Sequence, residues 1–561
     1  MNYQDINKKF KKYKLKSNKD SIKKICQPKK FKLQPSQAFL GDFFNSKGSP
    51  KGLLVYHKIG AGKTCAAINM AEILKRKMNI MIVLPAALIG SFKNELRSEC
   101  PGDIYITKKN RKKLLKLKPK MEEYKKIITR TNKKIDKYYK IYSYHKFVDL
   151  GQQNKIKLKN TLLIVDEVQN MVSESGTFYK TLKSIIYKAD DKTRIVLLSA
   201  TPMFDKPVEI ALTLNLLRPE EQLPVGIKFN QQFLKIRENK DGIYYKSKNL
   251  NKFKGMIKNM ISYYRGAPIQ SFPEEYFHQV RCKMNEFQWK SYLTALSSEE
   301  GYRRGSFRTG DIFKLPSNFF LGPRMISNVA YPNKSIGATG FSSFRGDKLQ
   351  INNISEYSIK FYKIYKRINE SEGPVFVYSN FKEYGGIKPF IKFIKKHKWK
   401  DYKTHGEGQK RFAVWTGDEH HHVKEEIKFI FNQKENHNGS KIKIMLGSPS
   451  IKEGVSLLRV EQVHILEPYW NMSRMLQIMG RAIRYCSHKD IAVRRQFVDV
   501  YLYLATYPGE KTVDQYIWSM AKKKNKLISQ FEKALKEMAV DCKLFYARNV
   551  YKDEDPLICY N

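Results

Sequence analysis

Short apolar runs alternate with longer amphipathic stretches in two separate parts of the chain. The first part carries runs at 53–56, 80–84, 161–165 and 194–198, and the second carries runs at 374–378, 412–415, 442–446, 462–466 and 497–504. The stretches between neighbouring runs are long enough for crossover helices, and this alternation is typical of βαβ units. The pattern therefore predicts an α/β protein with two tandem parallel-sheet lobes.

The regions around the two lobes differ from them in pattern. The chain divides into a basic arm at 1–30, a first lobe at 31–217, a connecting region at 218–356, a second lobe at 357–505 and a C-terminal extension at 506–561. We expect the arm to be mobile and the less regular connecting region to be mostly helical. In the extension, apolar residues from Val513 to Met538 recur at helical spacing and predict a long docking helix.

A glycine-rich loop follows the first apolar run. Gly60 and Gly62 would let backbone N–H groups close around phosphate oxygens. Lys63 would reach the β- and γ-phosphates, and the hydroxyl of Thr64 would hold Mg²⁺. His57 stands where the general pattern has its first glycine, so the match is incomplete. The sequence predicts an ATP-binding loop that consists of His57, Lys58, Ile59, Gly60, Ala61, Gly62, Lys63 and Thr64.

An adjacent acidic pair ends the third apolar run. Asp166 is placed to bind Mg²⁺ through a water molecule, and Glu167 is placed to polarise the attacking water as a general base. Alone, such a pair could simply cap a helix. Its combination with the glycine-rich loop favours a catalytic role for both carboxylates.

Three further polar residues surround this predicted site. Ser199 and Thr201 follow the fourth apolar run, at a spacing that predicts a link between the nucleotide state and the grip on nucleic acid. Gln37 lies upstream of the glycine-rich loop. Its amide could read the adenine edge through paired hydrogen bonds, and the alternative is an ordinary surface residue.

Two arginines in the second lobe lie three residues apart. Arg481 and Arg484 would share one face of a helix, beside the apolar residues Met479 and Ile483. Arginine suits the charge that develops on a transferring γ-phosphate, and such a group raises the rate by about 10³–10⁵. The alternative is a pair of solvated side chains, but the apolar neighbours favour a face that packs against another lobe.

The charge balance points to a polyanionic partner. Lys and Arg number 105 against 53 for Asp and Glu, which gives a formal net charge of +52. Part of this excess can reflect AT-rich codons, but the charge creates the field whatever its origin. Nucleic acid is favoured over a membrane surface, because the sequence has no long basic amphipathic helix with a clean apolar face.

The cysteines and the apolar runs suggest where the protein works. The seven cysteines are scattered, without a CxxC pair, so we expect reduced thiols with neither a zinc site nor a disulfide framework. The longest apolar run, 80–89, is too short to span a bilayer, and the N-terminus is too polar for a signal peptide. We expect a soluble cytoplasmic protein without a membrane partner, or one packaged in a particle made in the cytoplasm.

The order of the motifs resembles helicase superfamily 2. Motifs one through six of that superfamily are similar to HKIGAGKT, VLPAALIGSF, DEVQN, SATPM, VFVYSNF, SPSIKEGVSLL and QIMGRAIR, which lie between about 31 and 484. The resemblance implies two RecA-like lobes, with Gln477 acting beside the two arginines and Gly454 contacting the nucleotide. Gln169 stands where many relatives have His, and the resemblance implies that it couples hydrolysis to movement.

Further segments resemble a particular branch of this superfamily. They are ISYYRG at 261–266, RMISN at 324–328, HILEPYWN at 464–471, YCSH at 485–488 and AVDC at 539–542. The branch contains poxvirus nucleoside triphosphate phosphohydrolase I and the small subunit of the poxvirus early transcription factor, with relatives in other large cytoplasmic DNA viruses and in yeast cytoplasmic linear plasmids. The resemblance implies a DNA-dependent ATPase that acts in transcription with a virus-type RNA polymerase or a transcription-factor subunit. It does not separate initiation from termination.

The superfamily resemblance also implies where nucleic acid is held. It lies across loops that follow the strands, which here supply Pro85, Ser379, Asn380, Ser448, Lys452 and Trp470. Backbone N–H groups and hydroxyls there would hold phosphates without reading sequence. Trp470 would either stack on a base or belong to the core.

Two alternatives to a DNA motor remain open. The first is an RNA helicase, because the motifs do not distinguish the two nucleic acids. The second is a protein that tethers polymerase to DNA without hydrolysing ATP. Lys63, Asp166, Glu167 and Arg484 are all present, which argues against a protein that has lost hydrolysis.

Overall fold

The computed structural model describes residues 1–16, 22–26, 30–239, 242–299, 302–303, 306–307, 313, 318–452, 455–551 and 554–561. The strands in this part of the chain are β1 (Gly52–His57), β2 (Asn79–Leu84), β3 (Tyr139–Ser143), β4 (Thr161–Asp166), β5 (Arg194–Ser199), β6 (Leu234–Asn239), β7 (Gly242–Ser247), β8 (Ile261–Tyr264), β9 (Glu274–Lys283), β10 (Tyr302–Arg303), β11 (Ser306–Phe307), β12 (Val375–Tyr378), β13 (Lys400–Asp401), β14 (Arg411–Trp415), β15 (Ile444–Gly447), β16 (Gln462–Ile465) and β17 (Phe497–Thr506).

The helices of the described residues fill most of the intervals between these strands. They are α1 (Tyr3–Lys9), α2 (Ile22–Cys26), α3 (Pro35–Asn45), α4 (Lys63–Leu74), α5 (Ile89–Leu96), α6 (Lys108–Leu114), α7 (Glu122–Asp136), α8 (Tyr144–Gln152), α9 (Thr177–Tyr187), α10 (Val208–Asn215), α11 (Gly226–Phe233), α12 (Leu250–Met256), α13 (Glu286–Ser297), α14 (Leu321–Asn328), α15 (Ala338–Ser343), α16 (Ile354–Tyr357), α17 (Ile359–Glu370), α18 (Ile387–Lys396), α19 (Tyr402–His405), α20 (His421–Phe431), α21 (Met472–Met479), α22 (Val513–Glu537) and α23 (Tyr546–Asn549). The predicted C-terminal helix is therefore present as α22.

The chain forms two compact units. Unit 1 consists of Met1–Lys235, Tyr245–Ser271 and Lys526–Asn561, and unit 2 consists of Ile236–Tyr244 and Phe272–Asn525. Each unit contains one large parallel sheet, so the prediction of two tandem α/β lobes of RecA type is confirmed. Unit 1 also includes Lys526–Asn561, about the last two thirds of the C-terminal extension, which the sequence pattern separates from the first lobe.

The sheet of unit 1 has six parallel strands in the order β3-β2-β4-β5-β1-β8. Every residue of β1 and β4 is buried. Burial on both faces explains why these strands appear in the sequence as continuous apolar runs rather than as an alternation. The carboxyl ends of β1, β4 and β5 meet at one edge of the sheet, where the predicted ATP site lies.

The sheet of unit 2 has seven parallel strands in the order β13-β14-β15-β12-β16-β17-β9. Side chains of β12 alternate between two hydrophobic clusters: Phe376 and Tyr378 belong to one, and Val375 and Val377 belong to the other. Helices therefore cover both faces of this sheet, as its all-parallel pairing requires.

The connecting region contributes an edge strand to each sheet. β8 pairs with β1 in unit 1, and β9 pairs with β17 in unit 2. The described part of this region is a mixture of strands and helices rather than mostly helical. The sequence pattern misses both strands, and it misses β9 because most of the side chains of that strand are exposed and polar.

The described part of the segment 1–30 is packed rather than mobile. Ile6 and Phe10 of this segment are buried, and the Phe10 ring packs edge-on against Phe39 at 5.3 Å. The Tyr3 hydroxyl donates to the carbonyl of Met538 at 2.8 Å. The apolar side chains of this lysine-rich segment are few, but they face α3 and the C-terminal extension.

The expectation of reduced cysteines is wrong. Disulfides join Cys65 to Cys100 and Cys542 to Cys559. The partners are 35 and 17 residues apart in sequence, and the fold brings their Cα atoms to 5.8 and 5.6 Å, within the range that a disulfide allows. No short cysteine spacing in the sequence predicts these pairs, because only tertiary packing brings the partners together.

The described helices include none that is both long enough and apolar enough to cross a membrane.

Candidate nucleotide and nucleic-acid sites

The glycine-rich loop lies between β1 and α4, as the motif predicts. Gly60 and Gly62 have φ angles of 81° and 74°, in the left-handed region that favours glycine. Gly62 is the N-cap residue of α4. A Cβ atom on Gly62 would lie 2.4 Å from the Gln37 amide nitrogen, so a larger residue here would force the two apart. The first turn of α4 carries Lys63 and Thr64, and its free N–H groups suit an anion.

Gln37 braces this loop from the side. Its Nε2 donates to the carbonyl of Gly62 at 3.2 Å, and its Oε1 accepts from the backbone N–H of Gln34 at 2.8 Å. The residue is 4% exposed, so the alternative of a surface glutamine is wrong. The predicted adenine contact stays a prediction. The Gln37 amide, which already makes these two bonds, has one N–H group left that could donate to a base.

His57 is the last residue of β1 and is fully buried. Its Nε2 lies 3.1 Å from the Ser262 hydroxyl on β8. Burial, followed by the nearby Lys63 ammonium, lowers the pKa of His57 to about 3, so the imidazole is neutral. The sequence assigned His57 to the nucleotide loop, and the structure gives its imidazole a partner on the neighbouring strand.

The side chain of Lys58 forms an ion pair with the C-terminal extension. Its ammonium lies 3.6 Å from the Glu532 carboxylate of α22. The backbone N–H of Lys58 donates to the carbonyl of Tyr264 at 3.1 Å, and its carbonyl accepts from Ala61 at 3.1 Å. The backbone of the loop is thus tied both to itself and to β8. Ile59 lies between these bonds and is partly exposed.

The acidic pair lies at the carboxyl end of β4. The Lys63 ammonium is 3.3 Å from Oε1 of Glu167. Oδ1 of Asp166 accepts from the backbone N–H of Glu167 at 2.9 Å. The Tyr144 hydroxyl donates to the carbonyls of both acidic residues, at 2.9 Å for Glu167. Glu167 has a φ of 51°, a conformation that costs energy for a residue with a Cβ and marks many functional sites.

Hydrogen bonds run from this pair to the predicted coupling residues. Nε2 of Gln169 donates to Oε2 of Glu167 at 2.5 Å, and the Ser199 hydroxyl donates to Oε1 of Gln169 at 2.7 Å. The backbone N–H of Thr201 donates to the Ser199 hydroxyl at 3.1 Å. Gln169, Ser199 and Thr201 are all buried. The structure therefore connects residues 30 and more positions apart into one chain that begins at the Lys63 ammonium.

The two arginines of unit 2 follow α21 rather than lying on it. The helix ends at Met479, and the next residues form tighter turns in which Arg481 donates its N–H to Ile478. The expectation that both arginines share a helix face is therefore wrong. They still lie side by side, because Arg481 Nη1 and Arg484 Nη2 donate to the carbonyl of Val455 at 3.1 and 3.3 Å. Gln477 lies within α21 and is buried.

The loop after β12 is organised around a buried carboxylate. Oε1 of Glu467 accepts from the backbone N–H of Asn380 at 2.5 Å, and Oε2 accepts from the Ser379 hydroxyl at 3.0 Å. The Asn328 amide also donates to Oε2, at 2.7 Å. Glu467 is 1% exposed, and burial raises its pKa while these donors and nearby cations oppose the rise. The Ser379 hydroxyl, predicted to hold a phosphate, is thus committed to Glu467.

The other predicted nucleic-acid contacts lie at the carboxyl ends of strands. Pro85 follows β2 and is buried. Ser448 follows β15, where its N–H donates to the carbonyl of Trp415 at 3.3 Å. Lys452 ends a short 3₁₀ helix, Pro449–Lys452. Gly454 lies outside the residues that the structure describes.

Trp470 belongs to a partly exposed stack. Its ring lies 4.0 Å from the Tyr469 ring, at an angle of 26°. The Arg324 guanidinium lies 5.0 Å from the Trp470 ring, and the Arg474 guanidinium lies 3.9 Å from the Tyr469 ring. Trp470 is therefore neither a core residue nor a free surface residue. Such alternation of arginine and aromatic rings gives cation–π contacts that fix the ring planes.

Sequence motifs alone did not identify several residues that organise these sites. Tyr144, Ser262 and Asp541 contribute in unit 1, and Asn328, Lys360 and Glu467 contribute in unit 2. Lys360 is fully buried and donates to Asp514 at 2.6 Å, to Asn328 at 2.9 Å and to the carbonyl of Leu466 at 2.8 Å. The one available signal was the set of branch-specific segments, since Ser262, Asn328, Glu467 and Asp541 all lie within them.

Two family models match long parts of this chain. The model of the SNF2-related domain matches residues 13–323, and the model of the helicase conserved C-terminal domain matches residues 359–486. Among solved structures, the Sulfolobus solfataricus SWI2/SNF2 ATPase core in complex with dsDNA is 15% identical, with a TM-score of 0.33, over 92% of this chain and 97% of that one.

Two viral relatives extend over most of the chain. The "Putative ATP-dependent RNA helicase R563" of Acanthamoeba polyphaga mimivirus is 51% identical over 558 residues, which cover 99% of this chain and 97% of the relative. The termination factor NPH-I homolog of African swine fever virus is 26% identical, over 88% of this chain and 76% of the relative. The chain therefore belongs to the SNF2-related family of nucleoside triphosphatases within helicase superfamily 2.

Proposed function

We propose that this protein hydrolyses ATP to move along DNA during transcription by a virus-type RNA polymerase. The observation that carries the proposal is the hydrogen-bonded chain that runs from Lys63 through Glu167 and Gln169 to Ser199. It joins the carboxylate that would activate water to the motif that would report hydrolysis to the rest of the lobe. A protein that only tethered polymerase would have no use for such a connection.

ATP would bind with its phosphates against the glycine-rich loop and the first turn of α4. The ammonium of Lys63 pairs with Glu167 in this structure, and it would turn to the β- and γ-phosphates when they arrive. Glu167 is then released to accept a proton from the attacking water. Its backbone is held by Tyr144, which keeps the carboxylate near the same place.

The oxygen atoms of Thr64 and Asp166 fit Mg²⁺, which prefers hard oxygen ligands. Asp166 is 6% exposed at the end of β4, and its Oδ1 is oriented by the Glu167 N–H, so a carboxylate is preorganised beside the loop. Mg²⁺ would neutralise charge on the β- and γ-phosphate oxygens when bound.

Unit 2 would supply positive charge to the reaction. The guanidinium groups of Arg481 and Arg484 converge on the carbonyl of Val455, which fixes both planes in advance. We propose that they stabilise the charge that develops on the γ-phosphate, with Gln477 beside them and Gly454 in contact with the nucleotide. Alternating binding and release of ATP would then change the grip on the nucleic acid.

DNA would lie on loops at the carboxyl ends of the strands. Ser448 and Lys452 would contribute from the loop after β15, Asn380 from the loop after β12, and Pro85 from the loop after β2. Ser379 would position the loop after β12 through its bond to Glu467. Trp470 would offer a ring for stacking. The formal net charge of +52 favours such a polyanionic partner.

Two observations support a role in transcription. The African swine fever virus relative carries the name of a termination factor homolog. The branch-specific segments also form the buried contacts around Glu467 and Asp541, so they are structural features of this chain and not isolated sequence matches. We propose that the protein acts with an RNA polymerase or a transcription-factor subunit, in a cytoplasmic viral factory or plasmid system or packaged in a virion.

RNA is the second candidate substrate. The mimivirus relative, which is 51% identical to this chain, has "RNA helicase" in its name. The proposed contacts reach phosphates and base faces, which both nucleic acids possess, so a requirement for the 2′-hydroxyl would identify RNA.

The experiment is ATP hydrolysis without nucleic acid, with single-stranded DNA, with duplex DNA and with RNA, at low and moderate salt. Stimulation by DNA alone supports the proposal, and stimulation by RNA alone transfers it to an RNA helicase. Lys63→Ala is the control, because it removes the phosphate contact and should abolish turnover with every cofactor. Absence of hydrolysis under all conditions in the unaltered protein would leave the tethering role as the better account.

A further inference from the structure

Two branch-specific segments have no part in the proposed catalytic cycle. They are 261–266, which contains β8, and 539–542, which follows α22. Although they are more than 270 residues apart in sequence, they lie side by side in unit 1. The backbone N–H of Val540 donates to the carbonyl of Ile261 at 2.8 Å. The C-terminal extension thus contacts the edge strand of the sheet that carries the nucleotide loop.

A buried polar relay connects the C-terminal segment to the end of β1. The carboxylate of Asp541 accepts from the Tyr263 N–H at 2.9 Å and from the Ser262 hydroxyl at 2.5 Å. The Ser262 oxygen in turn lies 3.1 Å from Nε2 of His57. Asp541, Ser262 and His57 are each 0% exposed. Water therefore does not compete for any of these three groups, and each hydrogen bond is strong.

The same edge of the sheet touches the nucleotide loop directly. The carbonyl of Tyr264 accepts from the Lys58 N–H at 3.1 Å. Gly266 has a φ of 126°, and a Cβ built on it would lie 3.4 Å from the Ala61 Cβ and 3.5 Å from the Ala61 Cα. The backbone of β8 and the residues after it thus form one wall of the loop, and any shift of β8 would move that wall.

The donors and acceptors in the relay fix its direction when Asp541 is ionised. A carboxylate only accepts, so Ser262 must donate its single proton to Asp541. The Ser262 oxygen must then accept from His57, which places the imidazole proton on Nε2. Nδ1 of His57 is left as an acceptor, and it has no hydrogen-bond partner among the residues that the structure describes. Burial raises the pKa of Asp541 to about 7, so the carboxylate form dominates above that pH.

Further contacts hold the C-terminal segment against β8. The Asn549 amide donates to the carbonyl of Tyr263 at 3.0 Å, and its Oδ1 accepts from the Arg265 N–H at 3.0 Å. The disulfide from Cys542 to Cys559 closes the segment directly beside Asp541. The segment is therefore fixed at several points, as a part that positions its neighbours must be.

We propose that Asp541 is a positioning residue for ATP, acting through Ser262 and His57 on the loop that binds the phosphates. The inference rests on the proposed function in one respect, since it takes the loop as the ATP site. Replacing Asp541 by Asn preserves the shape and the bond from Tyr263 but reverses the bond to Ser262. A buried hydrogen bond to a charged group contributes enough that we expect KM for ATP to rise about tenfold, with kcat changed less than about twofold.

The test compares Asp541→Asn with Asp190→Asn in the full chain. Asp190 accepts from the Asn160 N–H at 2.8 Å and from the Thr193 N–H at 2.9 Å, at the amino ends of β4 and β5 and away from the loop. The control should therefore lower the melting temperature without changing KM. An unchanged KM in Asp541→Asn would overturn the proposal. ATP titration by calorimetry reads binding without hydrolysis, so an inactive but ATP-binding protein would contradict the proposed motor and leave the relay testable.

A second measurement follows the relay itself. At pH 8.5, nitrogen NMR of labelled imidazoles should find the proton of His57 on Nε2 in the unaltered protein and on Nδ1 in Asp541→Asn, since the asparagine would donate to Ser262. Ser262→Ala should also raise KM, and adding Asp541→Asn to it should have no further effect. An equal effect of Asp541→Asn with and without Ser262 would mean that Asp541 acts by another route, and would refute the relay. Ser262→Ala provides the test even if Asp541→Asn fails to fold.

Discussion

At the scale of single residues, Glu167 combines an unusual backbone conformation with contacts from both its backbone and its carboxylate. Its φ of 51° is held by the neighbouring bonds of Tyr144, and its two carboxylate oxygens face different partners. Oε1 faces the Lys63 ammonium and Oε2 faces the Gln169 amide. One side chain thus contacts both Lys63, the lysine that we propose binds phosphate, and Gln169, which leads to Ser199. Strain of this kind persists where function requires one geometry.

Glu167→Gln should separate ATP binding from ATP turnover. The substitution keeps Asp166 and the loop, so the dissociation constant for ATP should change only a few-fold. Loss of the general base should lower the turnover number by about 10²–10⁴. Steady-state hydrolysis and equilibrium ATP titration measure the two effects. Asp166→Asn is the comparison, because this substitution should also weaken the binding of Mg²⁺. Loss of ATP binding in Glu167→Gln would show that Glu167 is structural.

Glu209 contributes to the stability of the folded protein, and its contribution depends on pH. Oε2 accepts the N–H groups of Phe204 and Asp205, at 2.5 and 3.0 Å, and burial raises the pKa of this carboxyl from 4.5 to about 7. Between these two values the folded protein holds a proton that the unfolded chain has released. The stabilisation is therefore complete below about pH 4.5 and is lost as the pH rises through 7.

Glu209→Gln should remove part of this pH dependence. The amide oxygen can still accept both N–H groups, but it does not titrate. The fall in melting temperature from pH 5 to pH 8 should be smaller in the variant than in the unaltered protein. Asp541 loses its own stabilisation over the same range, since its pKa is raised to about 7, so some dependence should remain. An identical fall in both proteins would mean that Glu209 is ionised in the folded state throughout.

At the scale of elements, the central strands were predictable and the edges were not. β1, β2, β4 and β5 have apolar side chains on both faces because both faces are buried. Each of these strands is therefore visible in the sequence as a continuous apolar run. β9 has the opposite character, because nearly all of its side chains are exposed and its place in the sheet depends on pairing with β17. Pairing partners that are distant in sequence leave no periodic signal.

The candidate site also has one part that the sequence predicts and one part that it does not. The glycine-rich loop and the acidic pair are local motifs, and their spacing is sufficient to identify them. The partners of His57 and Ser379 are Ser262 and Glu467, which lie 205 and 88 residues further along the chain. Only the fold brings these groups together. The helix predicted for Arg481 failed for a local reason, since Gly480 follows the last helical residue and begins a tighter turn.

The disulfide from Cys542 to Cys559 should stabilise unit 1 measurably. Its partners are 17 residues apart, and closing a loop of that size is worth about 3 kcal/mol in the chain-entropy account. Cys542→Ser should lower the melting temperature by several degrees, measured by calorimetry under oxidising conditions. Cys559→Ser should have the same effect, and the double variant should be no worse than either one. Additive effects would mean that the two cysteines act separately.

At the scale of the whole molecule, the net charge favours association with a polyanionic partner. The net charge of +52 arises from 105 basic against 53 acidic residues, so the surface attracts any polyanion at long range. The contacts proposed at the carboxyl ends of the strands would then select among polyanions by shape. Phosphate contacts and base stacking differ in their response to salt, because only the first releases counterions.

Salt titration of DNA binding should separate these two contributions. If about six phosphates are neutralised, the logarithm of the affinity for duplex DNA should fall with the logarithm of the salt concentration at a slope near −5, and single strands should give about −4. Trp470→Ala should weaken single-strand binding by about 1–3 kcal/mol without changing the slope, because stacking releases no counterions. Fluorescence anisotropy at several salt concentrations measures both quantities. A duplex slope between 0 and about −2 would mean that few phosphates are contacted, and the nucleic-acid surface would then have to lie away from the strand ends.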